Sequence, residues 1–389
     1  MQKRLKKFGG LGLFSMPIST SNLYTPRKET VIRYLSRGLG GPGGEAALLF
    51  ELEQRLSDYH QAEHCVLFST GFWALVAAIK LRALSGKTQV IIPSFTYRRL
   101  ADVVYWAGLI PVFVDIDAGD LAVSPRAVAQ NIGDETALIL AVHPLVNCCD
   151  VTAIMEVSRS SGVPVVFDAV ESAHETYAGR RVGSFGGGEV FSMHASKLVN
   201  GLEGGYVCTN EAAFASALER YKTGASVAFA GTTRRGLNGL PHVGHAAFAL
   251  AGLDELAGNV SHNQSIYNCY RKHLSDKAGI RLLEFDEKEQ TSYKNIVIEV
   301  RENFPVTRDA LLASMNLESI LARKYYYPPL HKKRFSYPAI IRDMTQTEFA
   351  ESRYLNLPCG SRVTEQDVHT VCDFIDFVAE NHEWFGETL

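Results

Sequence analysis

Between about residues 45 and 210 the chain repeats one pattern, a short and nearly unbroken apolar run followed by a longer stretch with helical spacing. CVLFST, TQVIIPSF, IPVFVDID, ALILAVHP and VPVVFDAV are the apolar runs; GFWALVAAIKLRAL, LADVVYWAG and VTAIMEVSRSSG lie between them. Successive side chains of a strand point to opposite faces of a sheet, so a run that is apolar throughout has both faces buried. Its alternation with helices predicts a mostly parallel sheet covered by helices on both sides. Ligands of such sheets bind beyond the carboxyl ends of the strands, where Ser69, Pro93, His143 and Asp168 stand. From about residue 251 the pattern changes to a long helix, short strands around NIVIEV and ILARKYYYP, and a closing helix, EQDVHTVCDFIDFVAENH. A chain of 389 residues exceeds one ordinary core. The expected division is a large α/β domain over 1–250, with an N-terminal arm, and a smaller α+β domain over 251–389. GLGGPGG, residues 38 to 44, follows no strand and reads as a loop rather than a dinucleotide fingerprint.

Two residues give this architecture a chemistry. Asp168 ends the apolar run PVVFDAV, and Lys197 stands in FSMHASKLVNGLEGG, a hydroxyl-rich run that passes into a glycine turn. A carboxylate on a buried strand and a lysine at the next strand end are the pair that pyridoxal phosphate (PLP) requires. The lysine forms the Schiff base, and the aspartate keeps the ring nitrogen protonated so that the ring draws electrons. Ser69-Thr70-Gly71 closes a strand and opens a helix. Backbone N–H groups there favour an anion such as a phosphate, and the same residues serve equally well as a plain helix cap.

On the segments HASKLVNGLEGG, VLFSTG, PSFTY, PVFVDID and ARKYYYPPLH, the chain resembles the DegT/StrS family of PLP-dependent sugar aminotransferases. The likeness runs from about residue 25 to about 378 and is greatest to transaminases that make dTDP-4-amino-4,6-dideoxy sugars. The resemblance implies the fold-type-I architecture, with a mostly parallel seven-stranded sheet in the large domain. It implies Lys197 and Asp168 as the catalytic pair, with Thr70, Gly71, Phe72 and Ser192 around the cofactor phosphate. Tyr97 would stack on the pyridine ring, Asn238 would reach the phosphate of the partner subunit, and Tyr326 and His331 would line the sugar pocket. Glu171 falls beside the cofactor's phenolic oxygen, where the family mostly has Gln or His; the other reading turns it away to an arginine such as Arg98. Phe72, Arg98, Arg99, His174 and the run Leu240-Pro241-His242-Val243 also depart from the family pattern. Arg98 and Arg99 have two readings, an anion site or a solvated surface.

The resemblance further implies a keto sugar nucleotide as substrate, glutamate as amino donor, and a homodimer with shared active sites. The family's sugar dehydratases carry histidine in place of the Schiff-base lysine, and Lys197 argues against that chemistry. Two alternatives stay open: a PLP transaminase for a non-sugar ketone, and a non-catalytic regulatory homologue. The net charge of −3 carries no polyanion-binding signature, which argues against nucleic acid as a partner. Seven cysteines without framework spacing point to reduced thiols and a cytoplasmic protein. Cys148-Cys149 lacks the gap of a metal knuckle, so no metal is expected. No run approaches the ~18 apolar residues of a membrane helix.

Overall fold

The computed structural model describes residues 1–21, 24–229 and 231–385. Seven strands of a central sheet follow one another along the first half of the chain: β1 His64–Phe68, β2 Gln89–Pro93, β3 Ile110–Val114, β4 Thr136–Val142, β5 Val165–Asp168, β6 Glu189–Ser192 and β7 Gly205–Thr209. An eighth, the two-residue strand Ile340–Ile341, comes from the second half and pairs in parallel with β3. The sheet therefore has eight strands rather than the expected seven, in the order Ile340–Ile341, β3, β2, β4, β5, β6, β7, β1. Every pairing is parallel except the two that β7 makes with β6 and β1.

The unbroken apolar runs do what their pattern requires. All seven residues of β4 are buried. Leu138, Leu140 and Val142 pack on one face with Val90, Ile92 and Val166. Ile139 and Ala141 pack on the other with Ile91, Val165 and Phe167. Three helices, α1 Lys28–Gly38, α2 Gly44–His60 and, further along, α4 Val243–Asp254, form a layer with Leu67, Phe191 and Tyr206. GLGGPGG is the joint between α1 and α2, where Gly41 and Gly43 take φ of 126° and 80°. Those angles suit glycine and turn the chain sharply enough for the two helices to pack on each other.

Helix α3, Gly71–Arg82, is apolar on nearly every side because it lies within the large-domain core. Its first turn sits against β6 and β7. A Cβ on Gly205 would lie 2.5 Å from the Cα and N of Gly71, and one on Gly71 would lie 2.9 Å from the Cβ of Ser192. Only glycines allow the start of α3 to come this close to the strand ends.

The second half of the chain has an antiparallel sheet of β8 Ile280–Leu282, β9 Ile296–Val300, β10 Arg323–Lys324 and β11 Tyr354–Leu357, in the order β8, β9, β11, β10. Helices α5 Leu256–Leu274 and α6 Glu365–Glu380 pack together beside it. Leu5, Leu13 and Ile18 of the N-terminal arm join this second core, and Ile18–Ser19 pairs with Ile320–Leu321. The chain thus crosses between the two sheets in both directions, the arm into the core of the second and Ile340–Ile341 into the first.

Gly205→Ala should lower stability by about 1–3 kcal/mol, the usual result of forcing a methyl into a filled contact. Urea unfolding of wild type and variant checks this, and an unchanged midpoint would remove the close approach as a constraint.

Candidate active site

Asp168 ends β5 in the middle of the sheet and is buried. Its Oδ1 accepts one hydrogen bond, from the Val170 N–H at 3.1 Å. Burial raises its pKa to about 6, while that hydrogen bond and the charge of Lys197 pull the other way. Such a carboxylate is stable as an anion only if a cation is brought to it. His143, next to it at the end of β4, is pushed down to about 4 by burial and is therefore neutral. Its Nδ1 accepts from the Cys149 N–H at 3.3 Å, and its Nε2 is buried without a protein partner.

Lys197 lies in the tight loop after β6, where its N–H donates to the His194 carbonyl at 2.8 Å. Its ammonium is turned to Glu171, to whose Oε1 it donates. Glu171 Oε2 accepts from a second lysine, Lys294, at 2.5 Å. Lys294 immediately precedes Asn295 and β9, so this contact ties the second sheet to the loop after β5. Burial alone would raise the Glu171 pKa, but the two ammoniums outweigh it and hold the carboxyl at about 2. Burial lowers the Lys294 pKa, with Glu171 opposing. Arg98, the alternative partner for Glu171, is exposed and is not the one that binds it. His174, the other departure in this segment, pairs instead with the hydroxyl of Tyr59.

The start of α3 completes a cradle. Thr70 caps the helix by accepting from the Trp73 N–H at 3.2 Å, so the plain-cap reading holds for its side chain. Gly71 faces Ser192, whose Oγ accepts from the His194 N–H at 3.3 Å. Phe72 turns its ring to Trp73 and to the Arg99 guanidinium, 4.8 Å from the ring centroid. What it offers an anion is the backbone N–H of a first helical turn. Arg99 also stands 3.6 Å from Asp102.

Tyr97 is 45% exposed, at the open end of β2. Tyr326 is half-buried against Phe95 and Tyr325; burial first, then Tyr325 and the charges of Glu171 and Asp168, raise its phenol pKa. His331 is tied to the strand edge by Ser94, whose Oγ lies 2.7 Å from its Nδ1. Its Nε2 stands 3.7 Å from Glu348, too long for a hydrogen bond. Asn238 is exposed, in a loop whose Gly239 carbonyl accepts from the Ser69 N–H at 2.8 Å. Lys294 was missed by sequence reasoning. A lysine before an apolar strand usually marks a solvated strand end, and TSYKNIVIEV carries no signal that this one turns inward.

These residues fit pyridoxal phosphate: a buried acid lacking a cation, a reactive lysine, and a glycine-lined helix start for a phosphate. The arrangement defines a fold-type-I, PLP-dependent transferase. The DegT/DnrJ/EryC1/StrS aminotransferase family model matches residues 29–376, and the chain belongs to that family. It is an aminotransferase, and PLP is its cofactor. One relative, dTDP-4-amino-4,6-dideoxy-D-glucose transaminase of Shigella dysenteriae, is 30% identical over 278 residues, 72% of this chain and 75% of the relative. GDP-perosamine synthase of Vibrio cholerae is 25% identical over 83% of this chain and 88% of its own length. The crystal structure of DesI in the presence of its TDP-sugar product superposes with a TM-score of 0.90, at 26% identity over 98% of both chains.

Asp168→Asn gives a direct test of the buried acid. A carboxyl raised from 3.8 to about 6 holds its proton longer in the folded chain than in the unfolded one. In the cofactor-free protein its contribution to stability therefore falls as pH rises between those values and levels off above them. The stability of the variant relative to wild type should rise across the same window. Urea melts of the cofactor-free proteins at several pH values check this; a difference independent of pH would contradict it.

Proposed function

We propose that the protein transfers an amino group from glutamate to the keto carbon of a nucleotide-linked 4-keto-6-deoxy sugar. The observation that carries this reading is Asp168 and Lys197 at the carboxyl ends of central strands, in a chain that superposes over 98% of its length on DesI in the presence of its TDP-sugar product. When bound, PLP supplies an electron-withdrawing ring that stabilises negative charge on the carbon next to the reacting nitrogen.

The chain's own residues supply the rest. Asp168 meets the ring nitrogen as a carboxylate, so burial and ion pairing favour the same protonation state. The Lys197 amine takes the proton from the donor carbon and returns one to the accepting carbon, acting as base and then as acid. The first turn of α3 and Ser192 hold the phosphate and fix the position of the reacting centre. Tyr97, Tyr326 and His331, at the open edge, face the sugar.

A homodimer with shared sites forms part of the same reading. Ile32, Leu39 and Phe50, on or just after α1 and on α2, leave large apolar groups in solvent, Leu39 at 68% and Phe50 at 61% exposure. Leu202 and Leu240, near Lys197 and Asn238 in sequence, do the same. A second copy would cover such surface and bring its Asn238 to the phosphate cradle. All seven cysteines are free thiols, in keeping with a cytoplasmic location. Among the described residues no helix is long and apolar enough to cross a membrane.

Incubation with glutamate and a panel of nucleotide-linked keto sugars should give a product in which the ketone has become an amine, read by mass spectrometry. Amination only of non-sugar ketones would overturn the substrate. Lys197→Ala and Asn238→Asp should each be inactive alone and regain activity when refolded together, because a hybrid dimer holds one intact site. No regain, from proteins that do form dimers, would contradict site sharing.

A further inference from the structure

We propose that Lys294 is a positioning residue for this transamination, a fixed buried cation that balances Glu171 beside the reactive lysine. The inference rests on the reading that Lys197 carries PLP. Two ammoniums share one carboxylate here, Lys197 on Oε1 and Lys294 on Oε2. The two are not equivalent. The Lys294 side chain is 6% exposed and held just ahead of β9, whereas Lys197 is 17% exposed and stands on the loop that must release it to react.

A carboxylate alone beside Lys197 would favour every protonated state of that nitrogen, including those in which it cannot act as a base. With Lys294 attached, Glu171 belongs to a pair of zero net charge. The pair still accepts a hydrogen bond from Lys197 yet exerts little field on its protonation. The other ionisable groups facing this cluster are Asp168, Cys359, Tyr325 and Tyr326, and burial raises the Tyr325 phenol so that it stays neutral. Burial pushes the Cys359 thiol up to about 12 and raises the Tyr326 phenol, so both stay neutral. Asp168 is reserved for the ring nitrogen. Lys294 is thus the cation left to balance Glu171 once the Lys197 nitrogen is neutral.

The charge balance has a spectroscopic signature that a merely structural role lacks. The visible band of the PLP-loaded protein reports protonation of the nitrogen on Lys197, and its titration midpoint can be read without any sugar substrate. Lys294→Met leaves a net negative site and should raise the midpoint by at least about one pH unit, while Glu171→Gln leaves a net positive site and should lower it. The double variant Glu171→Gln/Lys294→Met restores zero net charge and should titrate near wild type, as should Lys294→Arg. Shifts of the same sign in the two single variants, or an unmoved midpoint in Lys294→Met, would overturn the role. Absence of a titrating band in wild type would instead refute the placement of PLP on Lys197. Urea melts of the cofactor-free variants add a second readout. The depressed Glu171 pKa gives stability that is present above the ordinary carboxyl value and lost as pH falls towards about 2. In Lys294→Met that loss should begin at higher pH.

A different observation carries a second inference. The geometry points to a site for a borderline divalent cation, best suited to zinc, formed by Cys269, His273 and His369. Their ligand atoms lie within 4.8 Å of one another, on α5 for the first two and α6 for the third. Cys269 and His273 are one helical turn apart and share a face. His273 Nδ1 lies 2.8 Å from the Cys269 carbonyl, a bond that fixes the orientation of the ring. Such a bond is the usual support of a metal-binding imidazole. The two imidazoles meet edge to face at 4.4 Å, so small side-chain rotations bring one thiolate and two nitrogens onto one ion. Sulfur and imidazole donors in this number suit zinc with water as its fourth ligand.

Titration of the PLP-loaded protein with zinc against a chromophoric chelator should show one site per chain in wild type. His369→Ala and Cys269→Ser should each lose that site while keeping the visible cofactor band, which shows that they are folded. Equal zinc binding by wild type and both variants, or none by wild type, would overturn the site.

Discussion

A carboxylate buried at the end of a central parallel strand must meet a cation or give up its charge, and Asp168 is held under that constraint by the sheet itself. Its backbone carbonyl accepts from the His143 N–H on one side, and the next residue, Ala169, donates to Val190 on the other. The side chain therefore cannot retreat to solvent without parting the central strands. Lys197 does not relieve it directly, because its ammonium is engaged by Glu171. The site holds two carboxyls with pKa values driven apart, Asp168 up to about 6 and Glu171 down to about 2. That separation suits them to the different tasks proposed for them, Asp168 as partner of the cofactor's ring nitrogen and Glu171 as partner of Lys197.

Position follows from the fold as much as from charge. The near contact of Gly71 with Ser192 and Gly205 sets the start of α3 against two strand ends, and this fixes where a phosphate can sit relative to Asp168. The second half of the chain supplies Lys294, Tyr326 and His331. Because Lys294 comes from the second half of the chain, its contact with Glu171 brings that half into the electrostatics around Lys197.

Much of this was legible in the sequence, for physical reasons. Asp168 and Lys197 were read as a pair, since a strand-end aspartate or a lysine near glycine alone serves equally as a cap or a surface charge. Unbroken apolar runs announced a sheet buried on both faces. The edge strand Ile340–Ile341 was not legible, since two residues carry no periodicity and its partner β3 lies more than two hundred residues earlier. The Glu171 position was read as unusual, but its partner was not, because Lys294 comes from the second half of the chain and no local rule links the two. Phe72 shows the same limit. Its place in the helix start was evident, whereas the direction of its ring depends on Trp73 and Arg99 and could not be read from spacing.

In the proposed reaction Asp168 and Lys197 support two linked half-reactions through one cofactor. The most direct test mixes the PLP-loaded protein with glutamate alone and follows the visible band in a single turnover, then adds a nucleotide-linked 4-keto-6-deoxy sugar. The account predicts loss of the band with release of one 2-oxoglutarate per site, then its return as the sugar gains an amine. A band that glutamate leaves unchanged, or that the keto sugar cannot restore, would contradict it.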